Sequence, residues 1–377
     1  MKKTILIFIC LAASQSWAVN KNAGTTGSSF LKLGMGAHSL SLANTFTAVS
    51  GESAGFFANP AGSAETTAQT IFTSASQWIE GTKYGSMAYI HPFKAKVKLR
   101  NKKTTKKSKT KPSENKKRKK FKLEGGRSNK NSIAPVRRKD TSFVVGFGAV
   151  YFDAGSMDET GIDAFDLVIN KGTQVKAADQ ALFLNLAKPM RRCSAGLNLK
   201  YISQTLGRYS ASAYGGDAGI IYHVLAGEER FYWDTGIAYH NAGTKLDFRE
   251  ETSYKDKLPS SIRLGNVCGK GKLKAGVDLI LPADNDLCGN LGLEYQVVEG
   301  AAFRLGFKAF GYDELGDDYY FTNMTAGLGI PFYFIAGKFD YAFVPMGDLG
   351  TSHHVSLTIF FKKPEKRQNT WFGDEDM

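Results

Sequence analysis

The sequence predicts an all-β protein, a transmembrane antiparallel β-barrel of about 14 strands, from three observations. Apolar residues alternate with polar or glycine residues from about residue 69 almost to the end of the chain. The N-terminus has the features of an export signal. The strands are even in number, and short and long connections alternate between them. A helical membrane protein is excluded, because no run approaches the ~20 consecutive apolar residues that a spanning helix needs.

The first element is a secretory signal peptide, predicted over residues 1–18. Lys2 and Lys3 give a positive start, Ile5–Ala13 is a short apolar run, and small residues end at Ala18. The apolar run is too short for a membrane-spanning helix. We therefore expect the chain to be exported, with the N-terminus of the barrel at the periplasmic side.

The second element is the barrel itself, predicted over residues 67–361. Leu273, Val277 and Leu281 share one face of a strand, because successive side chains of a strand point to opposite sides. Residues 154–178 are expected to form a long polar connection. The expected strands cover residues 69–79, 82–93, 141–153, 179–189, 195–206, 213–224, 230–248, 258–269, 272–282, 288–298, 301–312, 318–331, 333–345 and 352–361.

A soluble β-sandwich is the rival architecture, since it also buries one face of each strand. Three features favour the barrel: the export signal, the even number of strands of suitable length, and lone charges beside glycines on the polar face. Such a polar face suits a lumen that contains water. The lone charges are Lys200, Asp278, Glu294, Arg304 and Lys308.

The segment before the barrel, residues 19–66, does not alternate and is rich in Gly, Ala and Ser. Small residues allow a backbone to pack closely in a confined space, and Asn59-Pro60-Ala61-Gly62 is a tight-turn sequence. A surface loop containing a turn is the simpler alternative. This segment closely resembles the N-terminal plug of the PorV/PorQ family, the secretion-linked relatives of the FadL-type long-chain fatty-acid transporters. The matching residues are Phe30, Leu31, Gly34, Gly36, Ala37, Ala48, Val49, Ala54, Asn59, Pro60, Ala61 and Gly62.

Two later segments also resemble family motifs, and together with the plug they extend the likeness over nearly the whole mature chain. The resemblance implies a FadL-like barrel of fourteen strands with an N-terminal plug, in the bacterial outer membrane and in contact with its lipid. His38 and His354, where the family usually has Arg, and Asn44, where a Gly is common, depart from the pattern. The matching barrel residues are Leu258, Pro259, Arg263, Gly265, Asp340, Tyr341, Pro345, Gly347, Leu349, Gly350, His353 and Ser356.

The net charge of +14 is concentrated in one segment. Residues 94–140 contain 21 Lys and Arg against three acids, so the rest of the chain carries a net charge of −4. We expect this segment to be a disordered insertion in a periplasmic turn, because it lacks large apolar residues. It is either a tether without a specific partner or a contact for an anionic periplasmic partner. Nucleic acid is not expected, since the chain is exported. Its most basic run is Lys116, Lys117, Arg118, Lys119 and Lys120.

The other features give no sign of catalysis. No catalytic sequence motif occurs, so we expect no enzyme, no metal and no cofactor. Adjacent His353 and His354 would point to opposite faces of a strand and would not share one metal. Residues 362–377 are expected to form a C-terminal tail. Loop acids that are expected to be solvated rather than to bind Ca²⁺ include Asp158, Glu159, Asp163, Asp317 and Asp318.

Two functions remain open from the sequence. The resemblance to PorV implies a component of protein secretion that binds exported proteins at the outer membrane. The alternative is FadL-like passive transport of hydrophobic small molecules through a lumen gated by the plug. A structural barrel is a third possibility. Charged residues facing inward argue mildly against an apolar transport path, and it is the resemblance alone that favours secretion.

Overall fold

The computed structural model is a closed barrel of fourteen antiparallel strands, as the alternation predicts. Each strand pairs with its neighbours in sequence, and the last strand pairs with the first to close the barrel. The strands are β1 (Thr70–Gln77), β2 (Lys83–Lys94), β3 (Thr141–Ile162), β4 (Val168–Pro189), β5 (Cys193–Leu206), β6 (Tyr209–Ala226), β7 (Phe231–Gly243), β8 (Ser261–Lys270), β9 (Leu273–Pro282), β10 (Cys288–Val298), β11 (Ala301–Phe310), β12 (Met324–Phe332), β13 (Gly337–Pro345) and β14 (Thr351–Phe360).

Some of the predictions concern parts of the chain that the structure does not describe. They are the signal peptide, the basic run 116–120 with the rest of 95–140, the acids Asp317 and Asp318, and the tail beyond residue 362. These predictions stay predictions. The described residues are 22–77, 81–94, 141–163, 165, 167–226, 231–248, 255–298, 300–311, 322–332 and 335–362.

The apolar face of each strand points outward, and the polar face points into the lumen. Leu273 and Val277 are 47% and 44% exposed, whereas Lys274 and Asp278 on the other face of β9 are 2% and 0% exposed. A soluble sandwich would bury the apolar face instead. The observed burial is that of a barrel whose wall faces lipid, and the protein is an outer-membrane β-barrel.

The largest difference from the expected strands is in residues 154–178, which are not a loop. β3 and β4 continue there as one hairpin that extends past the strands on either side. Polar cross-strand pairs hold this extension: Asn170 donates to Asp158 at 3.1 Å, and Lys171 donates to Glu159 at 2.8 Å. Such pairs can stabilise a ribbon whose two faces are both exposed to water, so the alternation that marks the other strands is weak here.

The two ends of the barrel differ in their connections. We call one the short-connection end; there β4 joins β5 through residues 190–192 and β8 joins β9 through residues 271–272. At the other, the long-connection end, residues 244–260 join β7 to β8, and the β3–β4 hairpin projects. In outer-membrane barrels the short connections face the periplasm. By sequence, the segment 95–140 belongs to the short-connection end.

Residues 22–69, which we call the N-terminal segment, contain only short helical turns. Two are α-helical, α1 (Ala37–Leu40) and α2 (Gly55–Ala58), and two are 3-10 turns, Ser29–Lys32 and Pro60–Ser63. Another 3-10 turn, Gly347–Leu349, lies between β13 and β14. Within the described residues, no helix has the length and apolar character to span a membrane.

The N-terminal segment runs through the lumen from one end of the barrel to the other. Thr26 forms a parallel bridge with Lys257 at the long-connection end. At the short-connection end, the Phe361 amide donates to the Gln69 carbonyl at 3.0 Å. β1 begins at the short-connection end, as predicted. The first described residues, however, lie at the opposite end, because the segment crosses the lumen before β1 starts.

Candidate functional site in the barrel lumen

The N-terminal segment lies very close to the barrel wall, and this explains its small residues. A Cβ at Gly196 of β5 would lie 2.2 Å from the Pro60 carbonyl oxygen. Gly36 has a φ of +86°, and a Cβ there would lie 2.7 Å from the Phe72 ring. Asn44 has a φ of 60°, a left-handed conformation that Asn adopts more readily than most residues other than Gly.

Asn59 fixes the 3-10 turn Pro60–Ser63 of the segment. Its side-chain oxygen accepts from the Ala61 amide at 3.0 Å and caps the 3-10 turn that follows. Its side-chain nitrogen donates to the Thr47 carbonyl at 2.7 Å. The wall completes the contact, since Asn185 of β4 donates to the Pro60 carbonyl at 3.0 Å. The Asn-Pro-Ala-Gly sequence is therefore a buried turn against the wall rather than a surface loop.

Asp278 of β9 holds the middle of the segment. One of its carboxylate oxygens accepts from the amides of Phe46 and Thr47, at 3.0 and 2.9 Å, and from the Thr47 hydroxyl at 2.6 Å. Asp278 is fully buried. These three donors from the segment replace part of the hydration that the buried Asp278 carboxyl group has lost.

Ionisable side chains meet in a second contact between segment and wall. Glu294 of β10 lies 3.1 Å from the Lys274 ammonium and accepts from Arg304 Nε at 2.8 Å. Arg304 also contacts Asp340 of β13 at 2.8 Å. We define the charge cluster as these residues with their partners in the segment and on β13. Its members are His38, Glu52, Lys274, Glu294, Arg304, Lys338 and Asp340.

The segment completes the charge cluster with His38 and Glu52. Lys338 donates to Glu52 at 2.7 Å, and His38 Nε2 lies 3.1 Å from Glu294. With three carboxylates and three cationic side chains, the cluster is neutral when His38 is uncharged. Glu294 and Arg304, which the sequence presents as lone charges in a watered lumen, are thus paired with each other. Every member of the cluster is buried.

A smaller polar group lies nearer the long-connection end. Lys200 of β5 contacts Asp217 of β6 at 2.6 Å and donates to Asn241 Oδ1 at 2.6 Å. His240 Nε2 lies 2.9 Å from the Ala58 carbonyl of the segment. This group therefore also joins the wall to the segment.

The wall formed by β1 to β5 contacts the segment mainly through apolar residues, beside the hydrogen bonds from Asn185 and Asn198. Phe56 is fully buried, and the Phe57 and Phe183 rings meet edge to face with their centroids 5.2 Å apart. Burial of such side chains is the main favourable contribution to packing. Phe30, Leu31, Met35, Phe56, Phe72, Ile90, Val144, Val150, Phe183 and Ile202 belong to this cluster.

A cavity of about 170 Å³ lies between the segment and the wall toward the long-connection end. Much of its lining is apolar, with Leu31, Met35 and Phe57 from the segment and Phe183 and Ile280 from the wall. Ligand sites in proteins commonly combine such an apolar lining with a few polar groups.

Arg263 of β8 is a donor in the cavity lining with unused hydrogen-bonding capacity, and Asp284 Oδ1 is an acceptor there without a partner among the described residues. Within the described part of the chain, its Nε is buried without a hydrogen-bond partner, and its guanidinium forms no ion pair. Lys200 in the same lining is paired with Asp217. Lys32, also in the lining, is paired with Asp284. A molecule in the cavity that carries an acceptor would therefore find its donor at Arg263.

The structure brings together many of the residues that the sequence motifs single out. The Ala37 amide donates to Ser356 at 3.0 Å. Leu258 joins the apolar cluster of Phe30 and Leu31. The motif residues in contact with the segment or the lumen are Phe30, Leu31, Gly34, Gly36, Ala37, Asn59, Pro60, Ala61, Gly62, Leu258, Pro259, Arg263, Gly265, Asp340 and Ser356.

The remaining motif residues lie elsewhere. His353 points outward and its Nδ1 lies 2.7 Å from the Tyr341 hydroxyl, whereas its neighbour His354 is buried in the lumen. The others lie in the β13–β14 connection, where Gly347 and Gly350 have positive φ angles. Pro345, Gly347, Leu349 and Gly350 belong to this connection or flank it.

Sequence reasoning missed the pairing of the lumen charges, and the strand register contains the signal that would have shown it. Lys274 and Glu294 are cross-strand partners on β9 and β10, and Glu294 and Arg304 are partners on β10 and β11. Short connections fix such registers. Lys338 and its contact with Glu52 carry no local signal, because the two residues are far apart in sequence.

The candidate Ca²⁺ ligands that the structure describes do not converge on one site. Asp158 and Glu159 bond to hairpin side chains, and Asp163 accepts from the backbone of its own turn. In the described ranges, no group of three or more His, Cys, Asp or Glu residues is arranged to hold a metal ion.

Comparison with known proteins finds likeness in overall fold. No family model matches the sequence, and no curated protein matches it. The Ralstonia pickettii toluene transporter TbuX has a TM-score of 0.49 at 12% identity, covering 87% of this chain and 99% of TbuX. A Pseudomonas aeruginosa FadL homologue has a TM-score of 0.48 at 11% identity, covering 87% of this chain and 98% of the homologue. The Pseudomonas putida toluene transporter TodX has a TM-score of 0.47 at 10% identity, covering 86% and 96%.

These neighbours are transporters or members of a transporter family, not enzymes. Their low identities and TM-scores say nothing about what this chain binds. The membership in the PorV/PorQ family that the motifs suggest is not matched by any family model and stays a prediction.

Proposed function

We propose that this protein is an outer-membrane channel for the passive uptake of hydrophobic small molecules, with the N-terminal segment as its plug. The observation that carries the proposal is the cavity beside the segment, which is lined by apolar and polar side chains and has its mouth toward the long-connection end. That end faces outward if the short connections face the periplasm. The unpartnered Nε of Arg263 suits a ligand that combines an apolar body with one acceptor group.

The paired lumen charges remove the main objection to such a channel. An isolated charge would disfavour an apolar solute, but the charge cluster is neutralised internally. The cluster lies on β9 to β13, whereas β1 to β5 carry much of the apolar cluster together with a few polar side chains, among them Asn185 and Lys200, which is paired with Asp217. An apolar solute therefore has a largely apolar surface to follow once the segment moves away.

The plug role can be tested by fastening the segment to the wall. A Cβ built at Gly292 of β10 would lie 3.1 Å from the Thr45 Cβ, close enough for a disulfide after a small shift. The Thr45→Cys, Gly292→Cys pair would be placed in a chain whose Cys193, Cys268 and Cys288 are Ser. Uptake of the fluorescent apolar probe N-phenylnaphthylamine by intact cells is the measurement.

We expect the oxidised pair to abolish the protein-dependent uptake and the reduced pair to restore it. The single variants Thr45→Cys and Gly292→Cys should respond to neither oxidant nor reductant. Uptake that continues in the oxidised pair would contradict the plug role. The protein would then be a channel that the segment does not gate. Equal uptake by cells with and without the unmodified protein would contradict transport itself.

A second candidate function, binding of exported proteins during secretion, is favoured by a different observation. The β3–β4 hairpin exposes large apolar side chains beyond the barrel, including Ile162 at 70% and Phe165 at 83% exposure. Exposed apolar patches often mark protein interaction sites. Mass spectrometry of proteins that co-purify with the barrel from mildly solubilised outer membranes tests this role. Exported partners that disappear when residues 156–174 are replaced by a two-residue turn would support it.

A further inference from the structure

The short-connection end of the barrel is strongly cationic. In the described connections of that end and the strand residues beside them, the exposed charged side chains are all basic. Among the connections of this end that lie outside the described ranges, 227–230 and 299 add, by sequence, Glu228, Glu229, Arg230 and Glu299, whereas 95–140 is strongly basic, which leaves the rim positive. The exposed cations are Lys94, Lys188, Arg191, Arg192, Lys270, Lys272 and Lys362.

The long-connection end differs in both composition and pairing. Its exposed charges include both signs, and several are joined to one another. Lys171 pairs with Glu159 at 2.8 Å, and Lys255 pairs with Asp247 at 2.6 Å. The excess of cations is therefore a property of one end and not of the whole surface.

Two groups of these cations flank short connections. Lys188, Arg191 and Arg192 form what we call the β4–β5 cluster, and Lys270 and Lys272 form the β8–β9 cluster. None of the five forms an ion pair within the described residues. Among the described residues, their charged groups form one hydrogen bond, which the Lys272 ammonium donates to the Val297 carbonyl at 3.2 Å. Both clusters are available to an external anion.

Each cluster lies beside side chains that face the membrane. Lys270 is the cross-strand partner of Phe231 and of Leu273, and these two are 38% and 47% exposed on the outer face. Lys188 follows Leu186 on the outer face of β4, and Leu186 is 47% exposed. Each site thus offers a cation and an adjoining apolar wall. An amphiphile with an anionic head and acyl chains matches both.

We propose that the β4–β5 and β8–β9 clusters bind the phosphate headgroups of anionic phospholipids in the leaflet at the short-connection end. The guanidinium groups of Arg191 and Arg192 can each bind phosphate oxygens in a bidentate manner. The acyl chains lie along the outward leucines and Phe231. A soluble polyanion would use the cations but gain nothing from the apolar wall beside them.

The chain contains a natural probe for the β8–β9 cluster. Trp233 and Phe231 are successive outward-facing residues of β7, ~7 Å apart. Because Phe231 pairs with Lys270, Trp233 lies near the level of Lys270. The chain has four Trp, so changing Trp17, Trp78 and Trp371 to Phe leaves Trp233 alone. The full chain is reconstituted in phosphatidylcholine vesicles with a minor fraction of lipid brominated on its acyl chains, which quenches nearby Trp. Brominated phosphatidylglycerol is compared with brominated phosphatidylcholine.

We expect phosphatidylglycerol to quench Trp233 with an apparent affinity about fivefold above that of phosphatidylcholine, since one cation near a membrane surface contributes about this factor. The preference should weaken in about 0.5 M salt, where exposed charges are screened. Lys270→Gln with Lys272→Gln should bring the ratio close to one. The matched control, Lys83→Gln with Lys176→Gln at the long-connection end, should leave it unchanged.

Three outcomes would overturn the proposal. One is an equal affinity for both lipids in the unmodified chain, which requires no variant to fold. Another is a loss of the preference for phosphatidylglycerol in the control variant that equals the loss in Lys270→Gln with Lys272→Gln. The third is displacement of brominated phosphatidylglycerol by soluble glycerol phosphate, which would identify a general anion site that does not need the acyl chains. Because uptake of N-phenylnaphthylamine is measured separately, failure of this proposal and failure of the channel proposal can be told apart.

Discussion

The two halves of the lumen hold the same N-terminal segment by different physical means. The wall of β1 to β5 contacts the segment through aromatic and aliphatic side chains such as Phe72 and Phe183. The wall of β9 to β13 contacts it through carboxylates and cations, including Asp278 and Glu294. Apolar packing depends on filled volume, whereas the charged contacts require particular partners at particular distances.

This difference suggests separate roles for the halves. A buried ion pair has little net effect on stability when both partners are present, but loss of one partner is costly. The charged half should therefore set the register of the segment along the lumen. The apolar half can exchange a protein side chain for another apolar group, and the cavity adjoins it at Phe57 and Phe183.

The largest expected effect is that of Glu294→Ala in the charged half. The change leaves Lys274 and Arg304 buried without their shared carboxylate, which costs about 3–5 kcal/mol. We expect residues 37–63 to exchange their amide hydrogens much faster, as measured by hydrogen exchange and mass spectrometry. The matched control is Glu159→Ala on the exposed hairpin. Protection that is unchanged in Glu294→Ala would contradict the assigned role of the charged half.

A slightly smaller effect is expected from Phe56→Ala in the apolar half. Truncation of this fully buried ring costs about 3 kcal/mol in lost packing. Because the cavity left behind is apolar, an added apolar ligand such as toluene should recover part of the hydrogen-exchange protection. The same ligand should not rescue Glu294→Ala. Rescue of both variants, or of neither, would remove the distinction between the halves.

Asn59→Ala should have an intermediate effect at the turn where the two halves meet. The variant loses the cap on the Ala61 amide and the hydrogen bond to Thr47, together about 1–2 kcal/mol. We expect faster hydrogen exchange in residues 59–66 and little change near α1. Asn59→Asp, which keeps the capping oxygen, should lose less. An equal loss in the two variants would mean that the cap contributes nothing.

The smallest effect is expected outside the lumen, in the ion pair between Lys171 and Glu159 of the hairpin. Exposed pairs contribute about 0–1 kcal/mol and are screened by salt. Lys171→Gln should change hydrogen exchange in the hairpin only slightly, and the change should vanish at high salt. The effect of Glu294→Ala should persist at the same salt concentration, since its partners are buried.

The strands and their faces could be predicted from the sequence because a lipid-facing wall imposes alternation directly. The pattern of Leu273, Val277 and Leu281 identifies both the strand and its outer face. The extension of β3 and β4 beyond the barrel could not be predicted in this way. There both faces meet water, so polar pairs such as Asp158 with Asn170 suffice and no alternation is required.

The close packing inside the lumen could be predicted from the sequence, but the side chains that pair there could not. Small residues such as Gly36 indicate close packing, and the turn at Asn59 is visible in the sequence. The contact of Lys338 with Glu52 joins residues separated by almost the whole barrel, so no local pattern encodes it. The path of the segment between the two ends of the barrel could not be predicted from the sequence either, because it depends on where the barrel wall closes.

The crossing of the lumen by the N-terminal segment has a consequence for biogenesis. The segment precedes every strand of the barrel in the chain, yet its hydrogen-bond and ion-pair partners lie on strands as late as β13 and β14. Until those strands arrive, these contacts of the segment have no counterpart. Closure of β14 onto β1 and the seating of the segment should therefore be one cooperative event that follows the arrival of the last strands.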